Sequence, residues 1–84
     1  MDARQIIRKF ILENFLFTDD PAALVDGKSF LSSGMIDSTG VLEIMYFVEE
    51  KFGFSISDEE MLPENLDSVD NLVAFVARKQ KVAA

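Results

Sequence analysis

A chain of 84 residues, 49% of them hydrophobic and 27% charged, has room for one domain with a single core and does not have the composition of a disordered tail. It contains no cysteine and no histidine, which excludes disulfides and thiolate metal sites and removes the two side chains most used as nucleophile and general base near neutral pH. Fifteen acidic residues against eight basic ones give a formal net charge of −7, which argues against nucleic acid and anionic membranes as partners and favours basic protein surfaces.

In chain order, Ile7, Phe10, Ile11 and Phe15 recur at helical spacing while Arg4, Arg8, Lys9 and Glu13 fill the other faces. This spacing predicts an amphipathic first helix of about four turns. The apolar stretch from Phe10 to Phe17 is broken by Glu13 and Asn14 and lacks a small-residue cleavage site, so it reads as neither signal peptide nor membrane span. A cytoplasmic protein is expected. From Thr18 to Asp37 the periodicity gives way to Asp19, Asp20, Pro21, Asp26, Gly27, Ser32, Ser33 and Gly34, a long loop pinned by Leu24, Phe30, Leu31 and Ile36. Long loops in small domains are more often functional than idle.

A second helix is predicted from Ser38, with Val41, Ile44, Met45, Val48 and Phe52 on one stripe, Gly53 as its stop, and Glu43, Glu49 and Glu50 opposite. Ser57 and Glu60 form a capping-box pattern for a short helix that Pro63 should end. The last helix is expected after Asp67 or Ser68, along Val69, Leu72, Val73 and Val76, fraying from Arg78 to Ala84. The fold class is therefore all-α: a small monomeric bundle of three longer helices plus one short helix, in one domain over 1–84 with about 2–80 structured. Its core adds Phe30, Leu31, Ile36 and Ile56 to the helical stripes.

Gly34-Met35-Ile36-Asp37-Ser38-Thr39-Gly40 sets a serine where a glycine-containing loop becomes an amphipathic helix. Ser and Asp are common helix caps because their oxygens satisfy otherwise unpaired amides. The same helix terminus presents free N–H groups and the positive end of the dipole, which favours a phosphate on Ser38. On these residues alone both readings stand.

The stretch from Gly34 to Lys51 resembles the acyl carrier protein family around its modified serine, with Asp37-Ser38-Thr39 where that family has Asp-Ser-Leu. The likeness extends to the acidic second helix ending in Glu49-Glu50-Lys51-Phe52-Gly53, the Ile56-to-Glu60 segment and the last helix. It implies that Ser38 receives 4′-phosphopantetheine from coenzyme A through a Mg-dependent phosphopantetheinyl transferase. The arm's thiol then bears cargo delivered by an acyl- or aminoacyl-activating ligase and passed to downstream acyl-transfer enzymes. The resemblance also implies, for Asp37, which matches the family's aspartate before the serine, a supporting role in the transferase complex.

Thr39 and Gly40 depart from the family's usual leucine and polar residue, and they bear on the choice of partner. Thr39, Glu43, Tyr46 and Glu50 share one helix face, and with Glu49 and Met35 they are the candidate docking residues for basic enzyme patches. Asp19, Asp20 and Asp26, or Asp58 to Glu60, lack an EF-hand pattern and read as solvated charge. A carrier of acyl cargo, itself not an enzyme, is the expected function. An aminoacyl or peptidyl carrier shares the same arm, and an unmodified acidic adaptor and a carboxylate-only enzyme are the rivals of other classes.

Overall fold

The computed structural model describes residues 2–83. The first helix is capped at Asp2, whose carboxylate accepts from Gln5 N at 2.9 Å while the Gln5 side chain accepts from Asp2 N at 3.2 Å. Helix α1 runs Ala3–Ile11 and then widens into a π-helical segment, Leu12–Leu16, closed by the Phe17 N–H on the Leu12 carbonyl. Ile7, Ile11 and Leu12 are buried. Phe17 ends the segment in the left-handed region at φ 53°, an unusual conformation for a residue with a Cβ.

The connection that follows contains more structure than a loop. Asp20 caps a 3₁₀ turn at Pro21–Ala23, and the Arg8 guanidinium donates to the carbonyls of Pro21 at 2.6 Å and Leu24 at 2.8 Å. Arg8 also pairs with Asp26, which accepts from Arg4 at 2.5 Å, and Arg4 reaches Asp70 at 2.7 Å. Further on, Ser29 caps a single-turn helix, α2 (Phe30–Ser33), which Gly34 ends at φ 73°. Both Phe30 and Leu31 were expected inside. One turn offers the core only one direction, so Phe30 is fully buried and Leu31 stays 44% exposed.

Helix α3 spans Ser38–Phe52 between the predicted signals, Asp37 as cap and Gly53 in the left-handed region at φ 77°. Ile44, Met45 and Val48 are buried, whereas Val41 and Phe52 are half-buried at the edges of the stripe. The capping box at Ser57 forms as expected, over a 3₁₀ turn at Asp58–Glu60. Pro63 begins a helix instead of ending one. It is the first residue of α4, Pro63–Leu66, where its fixed φ suits a helix start and its missing N–H would be unpaired anyway.

Helix α5, Val69–Ala83, starts at Ser68, whose buried Oγ accepts from Asn71 N at 3.1 Å. Where fraying from Arg78 is expected, α5 is helical through Ala83, with Ala84 outside the described residues. Side-chain contacts hold these turns. Arg78 lies 5.8 Å from the Phe75 ring and donates to Asn65 at 2.7 Å, and Lys79 lies 5.8 Å from the Phe54 ring and pairs with Glu60 at 2.9 Å.

The three longer helices form the expected bundle, with α1, α3 and α4 all packing on α5. The short elements outnumber the single short helix expected: α2, α4 and two 3₁₀ turns. Leu12, Leu24, Leu66 and Phe75 join the predicted stripes in the core, each fully buried aliphatic or aromatic side chain contributing about 1.5 to 3 kcal/mol. Phe10 and Phe15 lie at its edge. Phe10 stacks on Phe47 with ring centres 4.0 Å apart and meets Phe15 edge-on at 6.0 Å.

Candidate functional site

Capping is done by Asp37 and not by Ser38. An Asp37 carboxylate oxygen accepts from Gly40 N at 2.8 Å and the Asp37 carbonyl accepts from Val41 N at 3.0 Å. Ser38 is thereby the first residue inside the helix, exposed, with a hydroxyl that makes no hydrogen bond among the described residues. The amides of Ser38 and Thr39 are equally uncommitted there. The two readings of the Asp-Ser pair therefore do not compete, since one residue satisfies the helix and leaves its neighbour free.

Beside Ser38 lies a cleft of about 170 Å³ between α3 and α4. Val41, Leu42 and Met45 form one wall, Met61, Leu62, Pro63 and Leu66 the other, and Leu31 of α2 closes an end. Ser38 and Asp67 are its polar members. Asp67 is fully engaged in fastening α2: its carbonyl accepts from Phe30 N at 2.8 Å, and its carboxylate accepts from Leu31 N at 3.0 Å and from the Ser29 hydroxyl. A larger groove of about 480 Å³, lined by Ile6, Lys9, Phe10, Glu13, Asn14, Phe47 and Lys51, shares no residue with this cleft.

Thr39, Glu43, Tyr46 and Glu50 are exposed along one face of α3, and Tyr46 keeps 64% of its surface. Glu49 has a different attachment. It is half-buried, and its carboxylate accepts from Ile56 N at 2.7 Å, tying α3 to the chain that follows it. Met35 is half-buried against the core. Leu42, Leu62 and Asp67 are site residues that the sequence reasoning missed. Leu42 had a signal, since it lies one turn after Ser38 on the same side. Leu62 and Asp67 had none, because only the placement of α4 brings them near.

Gly40 is buried, and the reason is packing. A Cβ there would lie 2.5 Å from Ile36 Cγ2 and 3.0 Å from Phe15 Cε1. Among the described residues no group of three or more acidic side chains is placed to hold a metal ion.

No protein-family model matches the chain. It is 43% identical over 53 residues to an acyl carrier protein of Arthrobacter sp. (strain FB24), covering 63% of this chain and 63% of that relative, less than two thirds of its length. An acyl carrier protein of Renibacterium salmoninarum is 40% identical over 60 residues, covering 71% and 72% of the two chains. A D-alanyl carrier protein of Abiotrophia defectiva is 37% identical over 51 residues, covering 61% and 62%. In fold, the chain matches the NMR structure of a holo acyl carrier protein from Nitrosomonas europaea with a TM-score of 0.75 at 22% identity, covering 96% of this chain and 99% of that one. The bundle repeats the fold of that carrier, and the sequence identity to the Renibacterium protein extends over most of both chains; this chain belongs to the acyl carrier protein family.

Proposed function

We propose that the chain is a single carrier domain that takes a 4′-phosphopantetheine arm on Ser38 and presents cargo to partner enzymes. The observation that supports this is the free, exposed Ser38 hydroxyl at the start of a 15-residue helix whose cap is already supplied by Asp37. The residues fit such a group. Ser38 Oγ would bond to the β-phosphorus of coenzyme A as the P–O bond to the departing adenosine 3′,5′-bisphosphate breaks, its proton passing to a base of the transferase. The uncommitted first-turn amides favour the resulting phosphodiester charge. Once attached, the arm supplies a thiol that holds cargo as a thioester. Asp37 fixes the helix start on which a transferase would have to close.

The apolar cleft beside Ser38 offers a wall for a short acyl group. The exposed Glu43, Tyr46 and Glu50 supply an acidic face for a basic transferase, ligase or acyl-transfer enzyme. Likeness to a D-alanyl carrier protein favours a second reading, an aminoacyl carrier with the same arm. Among the described residues no helix is long and apolar enough to cross a membrane.

Incubation with coenzyme A, Mg²⁺ and a broad-specificity transferase should add the mass of one arm, and Ser38→Ala should add none. A mass gain in the variant, or none in the parent protein with several competent transferases, overturns the assignment. The intact mass of protein from its native cell then separates acyl from aminoacyl cargo.

A further inference from the structure

The geometry points to Gly40 as a positioning residue for arm loading: its missing side chain lets Ile36 and Phe15 close beneath the first turn of α3 and hold the Asp37 cap, and with it Ser38, in place. This inference rests on Ser38 being the attachment point. Gly40 occupies the third position of α3, and its N–H is the group that the Asp37 carboxylate accepts from at 2.8 Å. On the inward side of the same residue, an added methyl would meet Ile36 Cγ2 at 2.5 Å, closer than real side chains approach, and Phe15 Cε1 at 3.0 Å. Ile36 is the neighbour that cannot yield, since it is 3% exposed and carries its Cγ2 on a stiff β-branched carbon, while Phe15, half-buried in the π-helical segment, packs edge-on against Phe10.

Ile36, one residue before the Asp37 cap, therefore lies against the first turn of α3 at a distance that only glycine at position 40 permits. Enlarging that residue must push Ile36 away, and Ile36 is covalently joined to the capping aspartate. A displaced cap turns the serine that follows it, and loading requires its hydroxyl in line with the attacked phosphorus.

Helix propensity makes the opposite forecast, which gives the test its sign. Alanine is the better helix former, so without this packing Gly40→Ala would tighten α3 and leave loading unchanged. With it, Gly40→Ala should lower kcat/KM for arm transfer from coenzyme A by on the order of tenfold or more, after correction for folded fraction, mainly through kcat. Loss of the protected amide signal of residue 40 in NMR should accompany the slower loading. The double variant Gly40→Ala with Ile36→Leu removes the offending branch methyl at constant volume and should return loading to within about threefold of the parent.

Loading of folded Gly40→Ala at the parent rate, with the amide still protected, overturns the proposal. So does a double variant that fails to fold or remains as slow as the single one. A parent protein that takes no arm at all is a different result, and it defeats the assignment of Ser38.

Discussion

The long connection between α1 and α3 is fastened by different forces in its two halves. From Thr18 to Lys28 it is held mainly by charge, through Arg4 and Arg8 reaching Asp26, Asp70 and two backbone carbonyls, with Leu24 as its one buried side chain. From Ser29 to Asp37 it is held by burial and caps, through Phe30, Ile36, the Ser29 and Asp37 caps and the anchor at Asp67. The half that leads into Ser38 is the apolar one. Burial and caps depend less on ion pairing than the charged half does, so the serine sits on the part of the connection that screening of ion pairs disturbs least.

That contrast can be broken first at its apolar half. Phe30→Ala should cost about 3 to 5 kcal/mol, the range for emptying a fully buried aromatic site. Denaturant unfolding measures it, and a loss no larger than that of a surface substitution would show that α2 does not anchor the connection. The same substitution at Phe10 or Phe52 should cost less, since both rings are only half-buried.

The charged half should respond more weakly and with pH. Partial burial pushes the Asp26 carboxyl up, but hydrogen bonds from Arg4 and Arg8 outweigh it and hold the group below its ordinary value. A carboxyl depressed in the folded state contributes stability that is present above the unfolded pKa of about 3.9 and is lost as pH falls through the lower folded value. Asp26→Asn should therefore cost about 1.5 to 3 kcal/mol at neutral pH, the range for hydrogen bonds to charged groups. Unfolding curves from pH 6 down to pH 2 should show a shallower acid limb in the variant, starting below about pH 4. Glu60, held low chiefly by Lys79 and the Ser57 amide, contributes with the same sign and remains in both proteins. An unchanged acid limb would remove Asp26 from the account.

The smallest effect on stability is expected on the face of α3 that neither half touches. Glu43→Lys with Glu50→Lys should alter stability by no more than about 0.5 kcal/mol. Arm or cargo loading should nonetheless become slower and less dependent on salt, since steering by exposed charges fades as the Debye length shortens. Initial rates across a salt series decide this, and equal rates with equal salt dependence would return the face to ordinary solvated surface.

The elements that could be read in the sequence are those with local signals. Asp37 and Gly53 delimit α3, Ser57 and Glu60 close their capping box, and Ile7, Ile11, Val69, Leu72 and Val76 stand in the core as their spacing required. The elements that could not be read depend on distant partners. The π-helical widening at Leu12–Leu16 accompanies Phe15 packing near Gly40, and no residue of α1 announces it. Leu66 and Phe75 are buried because α4 lies on α5, and Arg78 and Lys79 keep the last turns helical through partners that lie far back in the chain. Glu49 looked like its neighbour Glu50, yet only the fold brings the Ile56 amide within its reach. At the site, Ser38 and Asp37 stood out on local chemistry, whereas the cleft walls at Leu62 and Asp67 required the placement of α4.

Tyr46 gives this molecule an optical consequence. The chain has one tyrosine and no tryptophan, so its near-ultraviolet emission comes almost entirely from a single ring. That ring stands 64% exposed on the acidic face of α3. Unfolding changes its surroundings little, because water already surrounds most of it, while a protein seated on that face would shield it from solvent. The intrinsic emission is therefore a poor thermometer of the fold and a label-free gauge of whatever occupies the face of α3.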